Sequence, residues 1–252
     1  MKYGLIGEKL SHSYSKIIHE KLADYTYDLC PLTKEEFKVF MSEKKFCAIN
    51  VTIPYKRDVL AFIDHLDEKA KRIGAVNTIV NRNDELFGYN TDYDGFYYTL
   101  KKHHIEVYNK KILVLGNGGA AQAVFTVLKD LNAGEIITVK YKEEPNVVTY
   151  EEAKRLHSDA YLIINTSPIG MYPKIHESPI DLSPYRQLYA VIDLIYNPKT
   201  TKFMQQAMSQ SVLAVNGLEM LIAQAGYAVE RFLDTKIEDE LIEAIYQDIQ
   251  QA

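Results

Sequence analysis

A glycine-rich turn near the middle of the chain joins an apolar strand pattern to a helical one. Residues 112–115 are four apolar residues in a row, residues 116–121 contain three glycines, and a helical pattern then runs to about Leu131. A second apolar run follows at residues 136–139. This order predicts a strand, helix, strand unit whose two strands lie parallel in one sheet.

Strand and helix patterns also alternate before this unit. Residues 3–6 and 46–52 are mostly apolar runs typical of strands, while residues 14–22 and 59–73 have the spacing of helices. Alternation of this kind is typical of an α/β protein with a mainly parallel sheet.

The chain has room for two domains. Its 252 residues suit either one large domain or two of ordinary size. Residues 101–104, two lysines followed by two histidines, look like a polar helix end before the pattern restarts. We therefore place a boundary there and predict a first domain at residues 1–100 and a second at residues 101–217. Residues 218–247 are predicted to be helical, with a break near Asp234.

The composition excludes several classes of protein. A net charge of -5 and the absence of any long lysine or arginine run argue against a nucleic-acid surface. No stretch approaches the ~18 apolar residues of a membrane span, and residues 1–10 are too interrupted by charge for a signal sequence. Cys30 and Cys47 lack a metal-binding or disulfide spacing and indicate buried thiols in a reducing cytosol. We expect a cytoplasmic protein that binds neither nucleic acid nor membrane.

The glycine-rich turn fits the pattern Gly-x-Gly-x-x-Gly/Ala between a strand and a helix, which is the context the pattern requires. Gly116 permits the tight turn, Gly118 lets the backbone approach a pyrophosphate, and Ala121 takes the third position. Gly119 adds clearance. The helix N-terminus contributes N–H donors and the positive end of its dipole. We infer a dinucleotide site.

The end of the second strand distinguishes the possible dinucleotides. An acidic side chain there bonds the ribose 2′-hydroxyl of NAD, whereas cations accommodate the 2′-phosphate of NADP. Lys140 and Lys142 favour NADP, but Glu143 and Glu144 lie close by and leave NAD open.

A second candidate site is indicated in the first hundred residues. Pro54 stops the preceding strand, so Lys56 projects from the loop that follows. A single lysine after a strand is usually a solvated surface residue. Three further polar clusters at strand or turn boundaries favour a pocket for a polar small molecule, and they lie at residues 11–15, 74–78 and 88–95.

Taken in order, these segments resemble the shikimate dehydrogenase family. The motifs that carry the resemblance lie at residues 11–15, 50–56, 74–78, 88–95, 116–121, 165–171, 193–198 and 216–224. They span nearly the whole chain. The resemblance implies reversible reduction of 3-dehydroshikimate to shikimate with NADPH, in aromatic amino-acid biosynthesis. It also implies two lobes, a substrate domain completed by residues 218–252 and a Rossmann-like NADP-binding domain.

Carried over position by position, the resemblance implies a catalytic pair, Lys56 and Asp92. The ammonium would stabilise and protonate the forming alkoxide, and the carboxylate would orient the lysine. The implied substrate-binding residues are Ser13, Ser15, Thr52, Asn77, Asp92, Tyr196 and Gln224. The implied cofactor-binding residues are Gly116, Asn117, Gly118, Gly119, Ala120, Lys140, Lys142, Thr166, Leu194 and Gly217.

The chain departs from the family after its second nucleotide-domain strand. At residues 140–142 the family commonly has Asn-Arg-Thr with another arginine farther on, and both are missing here. The crossover to the strand at residues 161–164 is shortened, which predicts a helix at residues 150–157 capped by Thr149 with Glu152 in a capping box. We expect a raised KM for NADPH.

Two other functions fit the same residues. A quinate/shikimate dehydrogenase would share the pocket and use NAD or NADP, and a non-catalytic ligand-binding paralogue could keep the cleft without the reaction. A metal enzyme is not expected, because the histidine spacings offer no convergent ligands. The oligomeric state, monomer or homodimer, stays open.

Overall fold

A computed structural model describes residues 1–10, 13–142 and 144–251. Ser11 and His12 of the first polar cluster, together with Glu143, lie outside the described residues. The chain forms two compact units. Unit 1 comprises residues 1–96 and 221–252, and unit 2 comprises residues 97–220.

The elements alternate along most of the chain. The strands are β1 (Tyr3–Gly7), β2 (Tyr27–Pro31), β3 (Ala48–Val51), β4 (His65–Leu66), β5 (Thr78–Arg82), β6 (Glu85–Tyr89), β7 (Lys111–Leu115), β8 (Glu135–Lys140), β9 (Val148–Thr149), β10 (Leu162–Asn165), β11 (Ala190–Asp193) and β12 (Leu213–Val215). The α-helices are α1 (Ser15–Leu22), α2 (Lys34–Glu43), α3 (Glu68–Ile73), α4 (Thr91–Lys102), α5 (Gly119–Asp130), α6 (Tyr150–Leu156), α7 (Lys202–Ser209), α8 (Leu218–Leu233) and α9 (Asp239–Gln251). Among the helices of the described residues, none is both long enough and apolar enough to span a bilayer.

Unit 1 is built on a mixed six-stranded sheet in the order β2-β1-β3-β5-β6-β4. β1 pairs in parallel with β2 and β3, whereas β5 is antiparallel to both β3 and β6. Asn83 and Asp84, both with positive φ, form the tight turn between β5 and β6, as a right-twisted hairpin requires. The core on one face includes the fully buried Ile6, Ile49 and Ile79.

The helix predicted at residues 59–73 is wrong. A 3₁₀ turn at Asp58–Phe62 is followed by β4 and then by α3. The Asp64 carboxylate accepts the Leu86 backbone N–H at 2.8 Å, and Asp67 caps α3 by accepting the Lys69 N–H at 2.9 Å. Apolar spacing alone is compatible with one helix, but Asp64 bonds a neighbouring strand and Asp67 caps a new helix start, so both side chains stabilise a break in the segment.

Unit 2 has a parallel six-stranded sheet in the order β12-β11-β10-β7-β8-β9. The central strands are mostly apolar because both faces are covered, as in other parallel sheets. Residues 112–115 of β7, for example, are all fully buried. The predicted strand, helix, strand unit is confirmed here by β7, α5 and β8.

The predictions for the crossover and the C-terminus are also confirmed. Thr149 accepts the Glu152 backbone N–H, and the Glu152 carboxylate accepts the Thr149 N–H at 2.8 Å, which completes the capping box of α6. α8 ends at Leu233 and Asp234 takes a positive φ of 50°. The prediction of buried thiols is wrong for Cys47, which is exposed just before β3, while Cys30 is half-buried.

Candidate active site

The described residues of the four polar clusters in unit 1 lie at one end of the strands of its sheet. β1, β3 and β6 run in one direction and β5 in the other. The segments that follow β1, β3 and β6 and the segment that precedes β5 therefore leave the sheet on the same side. This topology places Ser13, Lys56, Asn77 and Asp92 in segments at that end of the strands.

Lys56 is held against a carboxylate instead of extending into solvent. Its carbonyl accepts the Val76 N–H at 2.8 Å, which fixes the loop backbone. Its Nζ donates to Asp92 Oδ2 at 2.6 Å. The side chains are only 19% and 12% exposed, so this lysine differs from the ordinary solvated case.

Asp92 is held by the first turn of α4 and by Asn77. Its position in that turn places the carboxylate near the positive end of the helix dipole. Its second oxygen, Oδ1, accepts from Asn77 Nδ2 at 3.0 Å. The Asn77 side-chain oxygen in turn accepts the Thr91 N–H at 2.8 Å. Asn77 thus fixes both the start of α4 and the carboxylate that meets Lys56.

Gln224 of α8 faces the same cluster through longer contacts. Its Oε1 lies 3.5 Å from Asn77 Nδ2 and 3.4 Å from Thr91 Oγ1, at the limit of hydrogen bonding. Its Nε2 donates to the Leu221 carbonyl at 2.9 Å. A ligand hydroxyl could replace the long contacts at little cost.

A buried layer that the sequence analysis missed supports this cluster. Asn50 Nδ2 donates to the Asn77 carbonyl at 3.1 Å and to Thr78 Oγ1 at 3.0 Å. The Tyr27 hydroxyl donates to Asn50 Oδ1 at 2.7 Å. The ring of Tyr27 stacks on buried His19 at 3.9 Å, and burial lowers the pKa of His19 to about 3. Asn50 was visible as the first residue of its motif, but Tyr27 carries no local signal.

Ser13 and Ser15 bond to each other, and Thr52 lies beside Gly7. The Ser13 hydroxyl donates to Ser15 Oγ at 2.9 Å and accepts the Ser15 N–H at 3.2 Å, at the start of α1. Gly7 packs closely on Thr52, because a Cβ at Gly7 would lie 2.5 Å from Thr52 Cγ2. Within the described residues, no hydrogen bond joins these hydroxyls to Lys56 or Asp92.

In unit 2, the glycines of the turn after β7 differ in backbone conformation and in the space around them. Gly116 has a φ of 101°, a region unfavourable to other residues, and a Cβ there would lie 3.0 Å from Thr166 Oγ1. At Gly118 and Gly119, φ is not positive and a Cβ would meet nothing within 4 Å. The protein's own packing does not require glycine at these two positions. The exposed backbone at both positions lies at the N-terminus of α5, where a bound anion would need such open space.

Gly217 has a packing role. A Cβ at this position would lie 2.1 Å from the Leu194 carbonyl oxygen, and the Gly217 N–H donates to the Ile195 carbonyl at 3.1 Å. The loops after β11 and β12 can meet only because residue 217 has no side chain. Tyr196, also expected at the site, is half-buried in the loop after β11.

A buried carboxylate that the sequence analysis did not single out ties the loops after β10 and β11. Asn165 Nδ2 donates to Asp193 Oδ1 at 3.0 Å and to the Ile169 carbonyl at 3.1 Å. Asp193 also accepts from the Thr201 hydroxyl at 2.6 Å and from the Ile195 N–H at 3.2 Å. Burial raises the pKa of Asp193 to about 6, although these three hydrogen bonds act to lower it.

The cationic residues at the end of β8 are differently engaged. Lys140 Nζ lies 2.5 and 2.6 Å from the two carboxylate oxygens of Glu144. Lys142 is exposed. Tyr141 between them is 67% exposed and packs on Tyr150, with ring centroids 4.4 Å apart. Over the part of the chain that is described, no group of three or more His, Cys, Asp or Glu residues is placed to hold a metal ion.

The raised pKa of Asp193 predicts a pH-dependent stability that an asparagine removes. Between about pH 4 and pH 6 the folded state keeps a proton that the unfolded state has lost, so this contribution to stability falls as pH rises. The free energy of unfolding of the wild type minus that of Asp193→Asn should decrease by on the order of 3 kcal/mol over that interval and then level off. Chemical denaturation at a series of pH values measures it.

A matched control is Asp181→Asn, at a carboxylate whose pKa is lowered by hydrogen bonds from Ser183. The free energy of unfolding of the wild type minus that of Asp181→Asn should not fall over the same pH interval. A flat or rising difference for Asp193→Asn would contradict the assignment.

Comparison with known proteins gives a consistent result. Residues 5–79 match the family model described as the shikimate dehydrogenase substrate binding domain. A protein of Clostridium beijerinckii named shikimate dehydrogenase (NADP(+)) is 40% identical over 261 aligned residues, which cover 97% of this chain and 96% of that protein.

Solved structures are similar to this chain over nearly its whole length. The crystal structure of a chorismate mutase/shikimate 5-dehydrogenase fusion protein from Clostridium acetobutylicum has a TM-score of 0.93 at 39% identity, covering 99% of this chain and 97% of that one. Shikimate 5-dehydrogenase from Thermus thermophilus, solved with NADP(H) and shikimate, has a TM-score of 0.87 at 26% identity, covering 98% of this chain and 99% of that one. The chain therefore belongs to the shikimate dehydrogenase family.

Proposed function

We propose that this chain is an NADP-dependent shikimate dehydrogenase that reversibly reduces 3-dehydroshikimate to shikimate in aromatic amino-acid biosynthesis. The observation that carries the proposal is the half-buried contact of 2.6 Å between Lys56 and Asp92, at the polar end of the unit 1 strands. The family to which the chain belongs supports it, as do the NADP-dependent activities for which relatives are named.

The pair suits the reduction of a ketone. When bound, NADPH supplies a hydride to the ketone carbon. The Lys56 ammonium stabilises the negative charge that develops on the ketone oxygen and donates a proton there, and the reverse reaction needs the neutral amine. Asp92 keeps the ammonium in place through the 2.6 Å contact.

The remaining polar residues suit a ring acid with several hydroxyls. Ser13 and Ser15 supply hydroxyls for the ring carboxylate, and Asn77, Asp92 and Gln224 bond the ring hydroxyls. Each ligand group left unpaired in a closed site would cost about 1–3 kcal/mol, so several directional partners are needed. Thr52 and Tyr196 complete the proposed substrate-binding set.

The proposed cofactor residues are in unit 2. Open space above Gly118 and Gly119 fits a pyrophosphate at the N-terminus of α5. The other proposed cofactor residues are Gly116, Asn117, Ala120, Lys140, Lys142, Thr166, Leu194 and Gly217. We propose that the enzyme acts in the cytoplasm as a monomer or homodimer, and its unpaired cysteines are consistent with a reducing compartment.

A matrix of two substrates and two cofactors tests the function. Oxidation of shikimate and of quinate is followed with NADP and with NAD through the nicotinamide absorbance. We expect the highest kcat/KM for shikimate with NADP. In the reverse direction, with 3-dehydroshikimate as substrate, we expect a KM for NADPH above a few micromolar. A preference for quinate would support the quinate/shikimate dehydrogenase alternative, and no oxidation in any combination would support a ligand-binding paralogue.

Replacing Lys56 tests the chemistry. Lys56→Ala should lower kcat by about 10²–10⁴-fold, because it removes the proton donor, while the KM for shikimate changes little. The matched control is Lys69→Ala. Lys69 Nζ contacts Asp94 at the same distance of 2.6 Å, and Asp94 lies on α4 as Asp92 does. That variant should keep near-normal kcat. Near-normal kcat in Lys56→Ala would remove Lys56 from the chemistry.

Two glycine substitutions separate binding from packing. Gly118→Ala should leave Tm nearly unchanged, because its methyl group meets no protein atom. It should raise the KM for NADPH by about tenfold, which corresponds to ~1.4 kcal/mol, because the methyl group occupies space proposed for the cofactor. Gly217→Ala should lower the free energy of unfolding by about 1–3 kcal/mol or more, because its methyl group meets the Leu194 carbonyl. A lower Tm with unchanged KM in Gly118→Ala would count against the proposed cofactor turn.

A further inference from the structure

The ion pair of Lys140 with Glu144 lies where a 2′-phosphate would be recognised. Lys140 is the last residue of β8, and β8 pairs in parallel with β7, which leads into the glycine turn. In units of this kind, the end of the second strand meets the adenosine ribose, and cations there accept a 2′-phosphate. Lys140 is therefore the residue of β8 that would bind a 2′-phosphate.

The Lys140 ammonium already has an anionic partner. Both carboxylate oxygens of Glu144 lie within 2.6 Å of Nζ, and the two side chains are 26% and 41% exposed. A phosphate oxygen uses the same donors as a carboxylate oxygen. The phosphate and Glu144 therefore compete for one ammonium group.

We propose that Glu144 is a specificity-determining residue that competes with the 2′-phosphate of NADP for Lys140 and so narrows the preference for NADP over NAD. This inference rests on the proposed function, since it concerns the cofactor of that reaction. Exposed ion pairs are weak, so Glu144 should reduce the preference several-fold without abolishing it.

The described contacts next to this ion pair do not use the Glu144 side chain. The backbone carbonyl of Glu144 accepts the Val147 N–H at 3.2 Å, a contact that substitution of the side chain leaves in place. Tyr141 packs on Tyr150 independently of the charge. Glu144→Gln therefore removes the negative charge and leaves these two contacts in place.

Calorimetric titration with 2′,5′-ADP and 5′-AMP tests the proposal without catalysis, since the two probes differ only in the 2′-phosphate. Glu144→Gln should bind 2′,5′-ADP about two- to fivefold more tightly than the wild type and 5′-AMP equally well. Lys140→Ala should bind 2′,5′-ADP more weakly. In the Lys140→Ala background, adding Glu144→Gln should give no further gain, because the contested ammonium is gone.

The control variant is Glu135→Gln. Glu135 begins the same strand and pairs with Lys111 at 3.2 Å, so the variant makes the same change of charge at the other end of β8. It should leave the affinity for both probes unchanged.

Three results would overturn the proposal: unchanged affinity for 2′,5′-ADP in Glu144→Gln, an equal gain in Glu135→Gln, or a gain that persists without Lys140. If the wild type prefers 2′,5′-ADP to 5′-AMP but Glu144→Gln binds it no more tightly, only the role of Glu144 fails. If the wild type binds neither probe, the proposed cofactor site fails as well.

Discussion

The hydrogen bonds of Asn77 join the sheet of unit 1 to the first turn of α4. Its backbone bonds to β3 through the Val51 N–H and to β6 through the Tyr89 carbonyl. Its side chain accepts the N–H of Thr91 and donates to Asp92. The orientation of the carboxylate, and through it the position of the Lys56 ammonium, therefore depends on one amide fixed within the sheet. Because the amide is 3% exposed, water does not compete for these bonds.

Two glycines of unit 2 differ in their surroundings: one is required by the packing of the protein, and the other faces open space. Gly217 is surrounded by its own protein, and a methyl group there would clash with the backbone at Leu194. Gly118 faces open space with an ordinary φ. Sequence motifs treat the two alike, since each is simply a glycine at its expected place. The surrounding atoms distinguish their roles.

The parts of the fold that could be predicted are those set by local patterns. The strand at residues 112–115 is apolar throughout, and the capping box of Thr149 and Glu152 depends on residues three apart. The helix predicted at residues 59–73 failed because Asp64 bonds to Leu86, which is distant in sequence.

The same limit applies to the candidate site. Lys56 and Asp92 could be named from motifs, but the support of Asn50 by Tyr27 joins residues 23 apart and leaves no local signal. The carboxylate of Asp193 likewise reads as an ordinary strand end until the structure shows that it is buried. Lys140 and Glu144 are only four residues apart, but they share no helix, so the spacing alone does not predict their pairing.

Both sheets end at one edge in a strand of only two residues, β4 in unit 1 and β9 in unit 2. An edge strand offers unpaired N–H and C=O groups to any other chain that meets it, and a long flat edge is a template for aggregation. Two residues present too few such groups to hold a foreign strand in register. The shortened crossover that produces β9 therefore also protects that side of the sheet from unwanted association.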